Sequence, residues 1–98
     1  MKYYLKIHSQ STNHIIGVCD EDCINLHLKQ GKYKYHVSDA FFRDKLVSIE
    51  DAIKILKNSS NFNAVGKNII EALIKSEIIS SEGILEIEGV PIAIKFVF

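Results

Sequence analysis

The adjoining stretches KYYLKIHS (residues 2–9), QSTN (10–13) and HIIGVC (14–19) decide the fold class. In the first, Tyr3, Leu5 and Ile7 alternate with Lys2, Tyr4, Lys6 and His8, the two-residue period of a half-buried strand. The polar cluster after it is a turn signal. The apolar run that follows reads as a second strand, so the chain opens on a hairpin. Gly17, inside that run, marks a bulge or a place where another backbone comes close.

Outward from this hairpin, DEDCINLHLKQG (20–31) starts with acids, carries apolar residues at 23, 24, 26 and 28, and closes on Gly31. That pattern predicts a short helix with Asp20 as its N-cap. KYKYHV (32–37) alternates again and predicts a third strand. SDAFFRDKLV (38–47) reads as a turn that exposes or anchors two aromatics, Phe41 and Phe42. In SIEDAIKILKNS (48–59), Ser48 stands three residues before Asp51 and ahead of an Ala52, Ile53, Leu56 stripe, which predicts a capped amphipathic helix. NAVGKNIIEALIKSEII (63–79) spaces Val65, Ile69, Ile70, Leu73 and Ile74 by threes and fours, a second and stronger helix of that kind. ILEIEGVPIAIKFVF (84–98) predicts a hairpin turning at Glu88 and Gly89, with Pro91 near the start of its second strand or on an edge. The order is β-β-α-β-α-α-β-β. It describes a single α+β domain over residues 1–98, a mainly antiparallel sheet with helices on one face.

Composition narrows the function classes. Ninety-eight residues are enough for one core without disulfides or a structural metal. Twelve basic and twelve acidic residues cancel, so no overall field draws the chain to nucleic acid or to anionic lipid. No apolar run approaches the roughly 20 residues that span a bilayer, and no membrane partner is expected. The first residues lack the apolar core of an export signal, so a cytoplasmic location is expected, where thiols stay reduced.

Cys19, Cys23 and His27 lie four apart and would share one helix face. A zinc site wants about four ligands, usually as two close pairs, and the Cys-x-x-Cys spacing of thiol oxidoreductases is absent. Both cysteines are expected to be core residues, with no metal and no cofactor. Asp20, Glu21 and Asp22 crowd Cys23 with negative charge, which disfavours a thiolate. No catalytic motif occurs, and no catalytic residue is predicted.

Three surfaces stand out. Lys2, Tyr4 and Lys6 on the first strand, with Lys32, Lys34 and His36 on the third, would form one basic strip containing an aromatic if the strands were neighbours. Lysines for phosphates and tyrosine for stacking are the ingredients of single-stranded RNA binding. Asn63, Gly66 and Lys67 open the second long helix, where free N–H groups can receive an anion. Phe41, Phe42 and the closing run IAIKFVF offer an apolar surface for a protein partner or a homodimer.

Together these segments resemble an archaeal family, domain of unknown function 424. The resemblance rests on residues 18–56, on NAVGKNIIEALI with its Asn63, Val65 and Gly66, and on ILEIEGVPIAI with its Gly89, Val90 and Pro91. It covers about residues 3 to 94. The chain departs from the family pattern at Asn25-Leu26, where Gly-Lys is usual, at Ile92, where His is frequent, and at Cys23, where Leu is usual. The last departure puts a cysteine in place of a core aliphatic. The resemblance implies an archaeal cytoplasmic protein with an RNA, ribosomal or other translation component as partner.

Overall fold

The computed structural model describes residues 1–10 and 13–97, so the turn expected over QSTN falls partly outside the described residues. Among the described residues, eight strands and three helices run in the order β1 (Tyr3–Gln10), β2 (Asn13–Asp20), a 3-10 turn (Glu21–Cys23), β3 (His27–Gln30), β4 (Tyr33–His36), α1 (Asp39–Phe42), β5 (Lys45–Val47), α2 (Ile49–Lys57), β6 (Phe62–Val65), α3 (Lys67–Lys75), β7 (Leu85–Ile87) and β8 (Val90–Lys95). Six strands make one sheet in the order β5-β1-β2-β6-β8-β7, and β3 with β4 makes a separate two-stranded ribbon. All pairings are antiparallel except β2 with β6. The α+β class, the mainly antiparallel sheet and the skeleton of the predicted order hold.

The opening alternation builds two different cores. Tyr3 and Leu5 of β1, Ile16 and Val18 of β2, and Phe62 and Ala64 of β6 face α2 and α3, where they meet Ala52, Leu56, Ile69 and Leu73. The opposite face carries Cys19, Val65, Ile87 and Ile92, closed over by Cys23, Leu28, Val37 and Phe42 from the 3-10 turn, the ribbon and α1. The long helices thus lie on one face, and the short helix and the ribbon cover part of the other. Phe42 is buried core, whereas Phe41 stays half-exposed.

Ser48 caps α2 as its position predicts, its hydroxyl accepting from the Asp51 N–H at 3.2 Å. The last hairpin turns at Glu88 (φ 52°) and Gly89 (φ 79°), two positive φ values as a type I′ turn requires. Gly17 admits a close approach: a methyl there would lie 2.5 Å from the Phe41 carbonyl oxygen.

The segment 20–31 corrects one expectation. It forms a single 3-10 turn and then strand β3. Asn25 at φ 69° reverses the chain, and Asn25 N–H and Leu26 C=O pair with Val37 instead of with a helical turn. Gly31 (φ 63°) followed by Lys32 at an ordinary φ is the first position of a II′ hairpin turn, so the glycine that resembles a helix stop joins two strands. The segment 62–65 supplies a second correction. It is a central strand parallel to β2, and the helix begins only after Gly66.

Candidate functional site

The basic residues expected to form one strip are divided between two places. β1 lies between β5 and β2 in the large sheet, while β4 pairs with β3 in the ribbon. Tyr4, Lys6 and His8 of β1 point to the face that α1 partly covers. Lys6 Nζ donates to the Ala40 carbonyl at 2.8 Å. His8 stacks on Phe41 with ring centroids 4.6 Å apart, and its Nε2–H donates to the Phe41 carbonyl at 3.0 Å. The Tyr4 hydroxyl accepts from Arg43 at 2.9 Å, and Arg43 also binds Asp39 at 2.6 Å. Lys2 is exposed at the chain start, outside the ribbon that carries Lys32 and Lys34. The expected single strip therefore does not form.

The ribbon carries its own cations. Cross-strand register sets Lys29 opposite Lys34 and His27 opposite His36. The two imidazoles stack with centroids 3.8 Å apart and planes 12° from parallel. These four side chains are exposed on the outer face, and Lys32 stands at the hairpin tip. The inner face carries buried Leu28 and half-buried Tyr35, whose phenol is pushed up to about 12 by burial and stays neutral. Among the described residues the ion pairs are Arg43–Asp39 and Lys75–Glu71, so none of the three ribbon lysines has an acidic partner. Sequence reading missed Lys29 and His27 because it placed them in a helix. A hairpin reading of Gln30-Gly31-Lys32-Tyr33 would have found them.

Glu88 holds the ribbon in place. Its carboxylate accepts from the Lys29 N–H at 2.8 Å, and its own N–H donates to Gln30 Oε1 at 2.8 Å. A side chain on the β7–β8 turn thus engages the ribbon's backbone and leaves the outer face open. A concavity of about 440 Å³ is lined there by His27, Leu28, Lys29, Lys34, Tyr35 and His36.

The helix start at Gly66 behaves differently from expectation. Its anion is internal: the carboxylate of Asp20, at the end of β2, accepts from Asn68 N–H and Ile69 N–H at 2.9 Å each. Gly66 sits at φ 125° with the Asp20 carboxyl packed where a Cβ would stand. Burial pushes the Asp20 carboxyl above its ordinary range, against the two backbone N–H bonds that favour its charge. Asn63 is a half-buried residue of β6, and Lys67 is exposed. The notch is filled by the protein's own acid.

Both cysteines are free, buried thiols, pushed up to about 12 chiefly by burial. Asp20, Asp22 and Cys23 bring ligand-type atoms within 4.8 Å of one another. Both oxygens of Asp20, however, are committed to α3.

These features define a two-sided α+β domain with a basic ribbon packed on one face of its sheet. The chain belongs to the family described as protein of unknown function (DUF424), which matches residues 7–98. Among solved structures it is similar to an uncharacterized conserved protein from Methanopyrus kandleri, at 21% identity and a TM-score of 0.73, covering 96% of this chain and 90% of that one. At that identity the likeness speaks to the fold. No curated protein matches. Among the described residues no helix is long and apolar enough to cross a membrane.

Proposed function

We propose that the chain is a small non-enzymatic module of the cytoplasm that binds RNA or a ribonucleoprotein, including components of translation, through the outer face of the β3–β4 ribbon. The observation that carries this is the Lys29–Lys34 rung. Like charges directly opposite on paired strands destabilise the pair, and among the described residues neither ammonium is ion-paired, the Glu88 carboxylate being held on the Lys29 backbone N–H. An anionic backbone laid along the ribbon would relieve that repulsion and engage Lys32 and Lys34 together with Lys29, beside the His27–His36 rung. The test is titration of labelled ribosomal RNA fragments at low and high salt. Binding that weakens with salt and is lost in Lys29→Glu/Lys34→Glu is expected. Salt-independent binding, or an unaffected double variant, would remove the proposal.

A second reading, self-association or a protein partner, has one observation in its favour. Ile94 and Phe96 of the closing run are 61% and 60% exposed, beside Ile15 at 38% on the same side of the sheet. Phe41 borders this patch, and buried Phe42 does not reach it. Phe98, the last residue of that run, lies outside the described residues. Sedimentation equilibrium decides the matter. A monomer at every concentration, unchanged by Ile94→Glu, would count against a homodimer.

A further inference from the structure

The ribbon's outer face has two unlike rungs, and RNA offers two unlike groups. The His27–His36 rung is a face-to-face imidazole stack, 3.8 Å between centroids and 12° between planes, with both side chains exposed to solvent and an open ring face on its outer side. The Lys29–Lys34 rung lies two residues further along both strands, a distance of about 7 Å from the strand rise. Both rungs border the same concavity of about 440 Å³. A ring platform and a pair of cations at that separation match the nucleobase and the flanking phosphate of one nucleotide.

Resting on the RNA reading above, we propose that the ribbon takes an unpaired nucleotide of a single strand. The base stacks on the His27–His36 pair, and the phosphate sits between Lys29 and Lys34. Imidazole is among the side chains on which unstacked bases are held. A duplex keeps its bases stacked on one another and would present only phosphates, so it engages the lysine rung alone. The face therefore discriminates strandedness, with the histidines supplying selectivity and the lysines affinity. Among the described residues no other exposed ring lies on this face of the ribbon: Tyr35 points inward, and Tyr33 belongs to the inner side of the ribbon near its tip.

The test uses fluorescence anisotropy with labelled oligoadenylate, free and paired with oligouridylate, on the full chain. The wild type is expected to bind the single strand about fivefold or more tightly than the duplex. His27→Leu/His36→Leu should weaken the single strand by a similar factor and leave duplex binding unchanged. His27→Phe/His36→Phe should keep the preference, because the platform is restored without the imidazole nitrogens. Circular dichroism confirms that each variant is folded. If the Leu pair unfolds, the wild-type ratio and the Phe pair decide. Equal affinity for both RNAs, or equal loss on both in the Leu pair, would overturn the stacking assignment while RNA binding stands. Absence of binding to either RNA would overturn the RNA reading itself.

Discussion

At the scale of single residues, the tightest constraint is the pairing of Asp20 with Gly66. Asp20 ends β2, yet it acts on a helix that begins 47 residues later, satisfying two N–H groups that α3 would otherwise leave open. The carboxylate reaches them only because residue 66 has no side chain and tolerates φ 125°. Gly66→Ala therefore meets both backbone strain and overpacking, and is expected to cost about 3 kcal/mol in urea denaturation. A loss under about 1 kcal/mol would show that the notch relaxes easily. The cysteines give a second expectation, with its sign fixed by linkage. Their thiols are raised from 9.0 to about 12 in the folded chain, so the unfolded chain ionises first. The stability they contribute is complete below pH 9 and is lost as pH rises through about 12. Denaturation measured across that window should fall more steeply for the wild type than for Cys19→Ala/Cys23→Ala. Parallel curves would refute the assignment.

At the scale of elements, legibility followed the length of the periodic signal. β1 and β2 show eight-residue alternation or apolar runs, and α2 shows a cap followed by a stripe, so their residues declare themselves. β6 has four residues, of which Phe62, Ala64 and Val65 are buried. Buried on both faces, it lacks the alternation that would separate it from the helix it precedes. The ribbon failed for a different reason. Asp20 looks like a local cap and is a distant one, while Gly31 looks like a helix stop and is a hairpin turn. Neither the remote capping nor the positive φ at Asn25 leaves a mark within a short window of sequence. The candidate site inherited that error: Lys32, Lys34 and His36 were found, and their partners Lys29 and His27 were assigned elsewhere. The rung itself is open to a stability test. Lys34→Glu turns a like-charged cross-strand pair into an opposite one and should stabilise the fold by about 0.5 kcal/mol, while weakening RNA binding. A residue whose replacement improves stability and harms binding is retained for the ligand. A destabilised Lys34→Glu would instead make the lysine a structural residue.

At the scale of the whole molecule, zero net charge sets what kind of binder this can be. Acids within residues 20–22 and 77–88 offset the cations of the ribbon, so there is no long-range field to steer a polyanion from a distance. Attraction has to be local, through the few lysines that touch phosphate. That limits the number of counterions released on binding. Lys29, Lys32 and Lys34 neutralise about three phosphates, and the logarithm of affinity for single-stranded RNA should then fall against the logarithm of salt with a slope of about −2. Replacing one of them with alanine should flatten the slope by about 0.7. The β1 lysines make a useful contrast, because Lys6 is bonded to the Ala40 carbonyl beneath α1. Lys6→Ala should leave the slope where it was. A slope near zero would mean that the RNA is held without its phosphates. A slope that Lys6→Ala flattens as much as Lys34→Ala would move the binding face from the ribbon to the sheet.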